Sequence, residues 1–425
     1  MKEILRLVAA AVYFMLFAVS SVYGAGFSVN TQGATPLGQG NAVIAHTNDP
    51  SSVFFNPALI NNLPGTQLEA GTSLLIPSNE FVSSFSGKSF ETERDVFLPS
   101  VFYATHHLSD RFSIGFGFFS NFGLANKWPD DWEGRYIATK SELKTYTLNP
   151  VISYRLTPNI TVAAGVPLVF LNAELNKMVN LSSLGLPDVR QTLKGDAFSA
   201  GFNAGLLIDV TKDISVGLAY RSIIRMGMTG DITYGFPSGT PAVVTSLFPD
   251  TGAHTTLKLP AMANFGVAYK GLPRTTIEVG GRWEGWSSYQ ELRIVTDKRI
   301  AGFQEITYPR NWKDIYSLNM GARYQVNDAV AVMLGYIYEG NPVPDDTLDP
   351  IVPTGTSQVY CIGTDIRFSR FLLGISYAYQ KVEDRNKNNA IDDNQFDGIV
   401  NPATSANGVY KADLHMVGIS ITYRF

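Results

Sequence analysis

The chain has 425 residues, of which 45% are hydrophobic, 12% aromatic and only 16% charged, with a formal net charge of −4. A soluble domain carries about 25% charged residues, and a mildly acidic balance gives no footing for nucleic acid. No apolar run long enough for a spanning helix occurs in the body of the chain, and a mean hydropathy of +0.03 suits a chain that hides its apolar residues by alternation.

Lys2 and Arg6 precede an apolar run from Leu7 to Val19 and a small-residue exit from Ser20 to Gly24, so residues 1–24 read as a secretory signal. Val22 and Gly24 suit the −3 and −1 positions, which places cleavage after Gly24 and leaves Ala25-Gly26-Phe27 as the mature start. Cleavage after Ala25 puts Tyr23 at −3, a poorer fit. Residues 25–65 lack sustained alternation. Ala34 to Ala45 is rich in Gly, Ala and Pro and predicts short helices, and Asn48-Asp49-Pro50 and Asn56-Pro57 are turn formers. Phe27, Val43, Ile44, Val53, Phe54, Phe55, Leu59 and Ile60 need burial, which predicts a plug rather than a hanging tail. Gly38-Gln39-Gly40 lacks the third glycine and following acid of a dinucleotide loop.

After Pro64 the chain alternates with a period of two. Predicted strands occupy 66–77, 97–108, 111–122, 142–156, 159–172, 193–210, 213–230, 254–270, 273–290, 309–326, 329–340, 358–368, 371–381 and 412–425. Each sets a large apolar face against a small or polar one. In the last strand His415, Val417, Ile419, Ile421, Tyr423 and Phe425 oppose Leu414, Met416, Gly418, Ser420, Thr422 and Arg424. These strands are long for a sandwich but suit tilted membrane-spanning strands. Tight turns such as Ser109-Asp110, Thr157-Pro158 and Asn327-Asp328 alternate with long connections at 78–96, 123–141, 173–192, 231–253, 291–308, 341–357 and 382–411. Short turns on one side and long loops on the other are the outer-membrane arrangement, with both termini periplasmic. An open edge in hydrocarbon would strand unpaired amides, so the first and last strands should pair.

The start Ala25-Gly26-Phe27, the Gly38-Gln39-Gly40-Asn41-Ala42 stretch, and Asn56-Pro57-Ala58 with Asp49 and Phe55 before it resemble the hatch of the FadL family. Tyr308-Pro309 with Trp312-Lys313-Asp314, Gly321-Ala322-Arg323-Tyr324, and Gly335-Tyr336 through Asn341-Pro342-Val343-Pro344-Asp345 extend the resemblance over the mature chain. It implies an all-β fold, a 14-stranded antiparallel transmembrane β-barrel (66–425) plugged by a small N-terminal hatch (25–65). It also implies passive uptake of long-chain fatty acids, other hydrocarbons or aromatics across the Gram-negative outer membrane. Substrate would pass from an outer loop site to an inner pocket, then sideways beside a kinked third strand. Asn56, Pro57, Ala58 and Phe27 would carry the hatch role. In the third strand Gly115 and Gly117 would tolerate a bend or bulge, with Ser120, Asn121, Phe122 and Gly123 at its end.

The outer collector should be apolar loop material: Leu175, Met178, Val179, Leu181 and Leu184, whose spacing predicts a short amphipathic helix, and Val243, Val244, Leu247 and Phe248. The alternative is packing of loops onto the rim, and Trp128, Trp132 and Tyr136 are either interfacial anchors or rim packing. A substrate carboxylate would need a lumen cation; Arg221, Arg323 and Arg367 qualify, although pairing with Asp365, Glu278, Glu284 or Asp49 is the plainer expectation. Asp384, Asn386, Asn388 and Asp392 weakly resemble a calcium loop, but Asn389 and Gln395 stand where glycine and glutamate belong. Lone Cys361 is expected to be packed or to face the lumen. Five histidines form no metal pattern and no serine sits in a nucleophile elbow, so no enzyme and no cofactor are expected. Expected partners are hydrophobic small molecules, outer-membrane lipids and lipopolysaccharide, and the barrel assembly machinery, around a monomer. A general polar porin, an adhesin scaffold and a lipid hydrolase are the rival functions.

Overall fold

The structure, a computed structural model, describes residues 26–47, 49–93, 96–393 and 400–425. The expected signal, its cleavage point, Ala25, Asn48 and Gln395 lie outside them. Twenty-three strand segments form one hydrogen-bonded sheet, and they join end to end into fourteen wall strands. In chain order these are β1 (Thr66–Ser83), β2 (Ser89–Glu91 and Ser100–His107), β3 (Phe112–Phe119 and Gly123–Lys127) and β4 (Lys140–Thr157). Next come β5 (Ile160–Gly165 and Leu168–Val179), β6 (Val189–Ala200 and Asn203–Asp209), β7 (Ile214–Arg221 and Ile224–Tyr234) and β8 (Thr251–Leu259 and Met262–Leu272). The circuit continues through β9 (Thr275–Glu284 and Glu291–Ile300), β10 (Phe303–Pro309 and Ile315–Gln325), β11 (Val330–Glu339) and β12 (Ser357–Phe368). It ends with β13 (Phe371–Val382 and Arg385–Lys387) and β14 (Gly408–Arg424). β1 pairs with β14 from Gln67↔Arg424 to Ser83↔Gly408 and closes the barrel.

Closure follows from the medium, since lipid offers no partner to an exposed amide. The period-two face that sequence assigns to lipid is outward: Val417, Ile419 and Ile421 are exposed, while Leu414, Met416, Ser420 and Thr422 are buried. Cys361 is buried on the inner face beside Leu37.

The segment 26–65 fills the lumen. Its helix α1 (Ala34–Gly38) and helix α2 (Ser52–Phe55) are followed by a 3-10 turn over Pro57–Asn62. Four carboxylates of the wall hold it. Glu284 accepts from Ser28 Oγ at 2.7 Å, Glu339 from Asn30 Nδ2 at 2.7 Å, and Asp365 from Thr35 Oγ1 at 2.6 Å. Glu278 takes the backbone N–H groups of Ile44 and Ala45 at 2.5 and 3.0 Å, with His46 Nδ1 at 2.7 Å. Opposite them, Tyr103 donates to Gln32 O, Ser153 to Ala58 O and Ser113 to Asn61 Oδ1. Glycines on the inner wall let the hatch backbone touch the sheet. A Cβ at Gly335 would lie 2.0 Å from Gly40 N, and one at Gly217 would lie 1.9 Å from Ile44 O.

Three expectations are corrected. Residues 175–179 are not helical: they continue β5, paired throughout with β6 and at Leu175 and Asn176 with β4 as well, and only Ser182–Leu184 forms a 3-10 turn. This ladder pairing outweighs an apolar spacing compatible with either period. The connection 291–308 is mostly a hairpin extension of β9 and β10, turning at Ala301-Gly302 with positive φ at both. Gly115 and Gly117 do not mark a bend. They lie in the regular part of β3, where their missing side chains make room for Val53 and Ile60 of the hatch.

Gly335→Val should therefore eject the hatch while leaving the barrel closed. Residues 26–65 contain no Lys or Arg, so chymotrypsin is the reporter. Cleavage after Phe54 or Phe55 should be rapid in the variant and absent in the parent, with heat-modifiable gel migration retained in both.

Candidate functional site

Among the described residues, β3 is the wall strand that exchanges a neighbouring strand for the hatch. Its ladder to β2 runs from His107↔Ser113 to Phe102↔Phe118. Beyond that, among the described residues, the two strands meet again only where Glu93 N donates to Lys127 O at 2.9 Å. Between these points Ser120–Phe122 leave the sheet. Val29 N donates to Asn121 O at 2.9 Å and Gly123 N to Phe27 O at 2.8 Å, so the hatch start replaces β2 as a partner. Thr145 on β4 staples the far side, donating to Phe122 O at 2.6 Å and accepting from Phe122 N at 3.1 Å. Gln32 of the hatch donates to Ser120 O at 2.7 Å.

A cavity of about 880 Å³ opens among the extracellular ends of β4–β6, β9 and β10 and the loops above them, lined by Leu175, Met178, Val179, Phe248, Phe303 and Tyr308. Tyr136 stands at its edge. Burial and the bond its hydroxyl donates to Asp188 push that phenol up to about 12, so it remains a donor at neutral pH. A narrower apolar cavity of about 80 Å³ continues inward between Leu143, Met228, Leu257 and Val352 and ends at Phe27. Leu175, Leu193, Leu292, Ile294 and Ile351 line both, and so does Arg310, whose guanidinium is bound to Asp349 at 2.5 Å. Phe27 packs edge-on against Trp286 at 4.6 Å and Phe122 at 6.0 Å, with Tyr289 and Trp312 around it. This aromatic cluster separates the inner cavity from the break in β3.

The predicted residues divide accordingly. Leu175, Met178, Val179 and Phe248 line the outer cavity, and Leu181 is buried in the same apolar cluster. Leu184, Val243 and Leu247 are exposed away from it, whereas Val244, on helix α3 (Ala242–Leu247), is buried. Trp128 and Trp132 stack at 4.4 Å and are buried with Phe81 and Tyr410, so they pack the rim rather than the lipid interface. Asn56 is buried: its amide donates to Ile44 O at 2.8 Å and Leu206 O at 3.0 Å, while its Oδ1 accepts from Ala58 N. Pro57 and Ala58 are thereby held against β4 and β6, with Pro57 opening the 3-10 turn. Arg323 pairs with Asp365, as the plainer expectation had it, and Arg367 is exposed at the periplasmic end. Arg221 is buried and donates to Phe54 O.

Asp384, Asn386 and Asn388 are exposed, and Asp392 accepts from Asn401 N. A buried cation in this loop is Lys387, whose ammonium donates to Ile391 O, Ser405 O and Asn407 Oδ1 at 3.0, 2.6 and 2.9 Å. Burial lowers it to about 8, which leaves it mostly protonated at neutral pH. Sequence reasoning missed Lys387, Arg310 and Trp286. Arg310 lies between two matched stretches, Tyr308-Pro309 and Trp312-Lys313-Asp314, and that interruption of alternation was its only signal.

Comparison with known proteins agrees with this architecture. The chain is 25% identical over 375 residues to the long-chain fatty acid transport protein of Escherichia coli O6:H1, covering 79% of this chain and 81% of that one. A solved FadL homologue from Pseudomonas aeruginosa superposes with a TM-score of 0.83 at 19% identity, covering 94% of this chain and all (100%) of the other. The Ralstonia pickettii toluene transporter TbuX superposes with a TM-score of 0.71 at 16% identity, over 94% and 99% of the two chains. The family model for outer membrane protein transport proteins (OMPP1/FadL/TodX) matches residues 15–425, and the chain, an outer-membrane barrel with periplasmic termini, belongs to that family.

Proposed function

We propose that this protein moves hydrophobic molecules passively across the outer membrane, capturing them in the outer cavity and releasing them sideways through the break in β3. The observation that carries this reading is the run of apolar space from the loops to Phe27, ending beside the stretch of wall where β3 leaves β2 and takes the hatch start as its partner. Burying each CH₂ is favourable by about 0.8 kcal/mol, so an apolar chain gains at every step of this path and gains nothing from a wet pore. The lumen below is filled by the hatch, which argues against a general polar porin. The chain's likeness to a fatty acid transporter of Escherichia coli and in fold to a toluene transporter keeps both acids and neutral hydrocarbons within the substrate range.

Release requires the N-terminal segment to leave β3. Ser28 and Phe122 face each other in an antiparallel bridge flanked by the two hydrogen bonds described above, the closely spaced pairing that accommodates a disulfide. In a Cys361→Ser background, Ser28→Cys with Phe122→Cys should abolish uptake of a labelled hydrophobic probe when oxidised and recover it on reduction. Unchanged uptake in the oxidised protein would refute exit by this route.

Capture makes a separate prediction. Met178→Asp places a charge in the outer cavity without touching the hatch. The half-saturating probe concentration should rise roughly tenfold, the effect of a burial penalty of about 1–3 kcal/mol, while uptake at saturation stays near that of the parent. A fall in maximal rate alone would place the first binding step elsewhere.

A further inference from the structure

We propose that Arg221, together with Asn121 and Ser222, forms a carboxylate-binding station behind the break in β3, which makes this barrel selective for amphiphiles with an acid head. The proposal rests on the uptake reading above and names its substrate class.

Among the described residues, the other buried arginines come with an acid: Arg310 meets Asp349, Arg323 meets Asp365, and Arg385 meets Asp345, as the nearly buried Arg282 meets Glu284 and Glu339. The less buried Arg155 meets, among the described residues, only the Asn61 carbonyl and the Asn62 amide of the hatch. Arg221 is the exception among the buried ones. It is 8% exposed, and among the described residues no carboxylate lies in ion-pair contact with it. Its Nη2 donates to the carbonyl of Phe54 at 2.5 Å, and its guanidinium lies 4.4 Å from the Phe54 ring and 5.3 Å from that of Phe119. A single carbonyl and two ring faces are weak compensation for a buried cation. Capping a carbonyl needs one neutral donor, whereas a guanidinium brings five N–H groups in a fork suited to carboxylate.

Two more polar groups face the same small space. Asn121 is 9% exposed; among the described residues its Oδ1 has no partner, and its Nδ2 meets only Met262 Sδ at 3.9 Å. Ser222 Oγ accepts from Phe202 N at 3.0 Å, which leaves its own proton to donate. Arg221, Asn121 and Ser222 line one cavity of about 20 Å³ with Phe119, Phe122 and Val169. That volume suits a water-sized group, so the site is closed here. Withdrawal of the hatch start from Asn121–Gly123 would enlarge it at the moment the wall opens. An acid head could then be held by Arg221 while its tail follows Phe122 into lipid, and a neutral molecule would pass without that contact.

The test compares uptake of palmitate and of hexadecanol, which differ only at the head, in cells whose sole such channel is this one. Arg221→Met should lower palmitate uptake about tenfold, the size expected for one lost charge-assisted bond, and change hexadecanol uptake less than twofold. Arg221→Lys should restore much of the palmitate rate. Asn121→Leu, which keeps the charge, should lower palmitate uptake alone and serves if Arg221→Met loses its heat-modifiable fold. Equal loss of both probes in the folded variants would assign Arg221 a purely structural role and overturn the proposal, as would no loss of either. If the parent imports neither probe above channel-free cells, the uptake reading itself fails.

Discussion

Backbone pairing in a medium without water is the constraint on which this molecule depends. Every wall amide must find a partner within the sheet, and the full-length ladder between β1 and β14 satisfies that demand at the seam. A wall built this way has no natural opening toward lipid. The break in β3 is tolerated because Asn121 and Gly123 find substitute partners in Val29 and Phe27. The hatch therefore both obstructs the lumen and supplies the hydrogen bonds that make an interrupted wall tolerable, so any movement of its N-terminal segment is coupled to the state of the break.

That coupling requires the rest of the hatch to stay in place, and electrostatics answers the need. Segment 26–65 has no Lys or Arg, yet four wall carboxylates on β9, β11 and β12 reach its hydroxyl, amide, imidazole and backbone N–H groups. Anions accepting from neutral donors make strong, directional bonds, and Arg282 and Arg323 offset part of the buried charge. The inner-wall glycines bring the hatch backbone within bonding distance. Fixation is dense around α1 and the 3-10 turn. At Gly26–Val29 it consists of Glu284, the β3 bonds and the aromatic packing of Phe27.

Much of this architecture was readable in advance. Alternation located all fourteen strands because a lipid-facing residue and a lumen-facing residue are chemically different, and a period of two records that difference directly. Legibility failed where both faces are apolar. Leu175, Met178 and Val179 lie where β5 rises beside a greasy cavity, so their spacing fitted a helix as well as a strand. Gly115 and Gly117 misled for another reason: a missing side chain is silent about whether it permits a bend or admits a neighbour.

What the sequence by itself determined was the barrel, its orientation, its plug and its family, all of which follow from local periodicity, turn length and short motifs. Tertiary structure alone decided which residues became a site. Phe27 meets Phe122 and Trp286, Glu278 meets Ile44, and Arg221 lies behind the break in β3 without an acid among the described residues, although two or more strands separate these partners along the chain. Those encounters depend on how the closed wall and the inserted hatch are registered against one another. Registration is a property of the whole ring of strands, and no local stretch of residues encodes it.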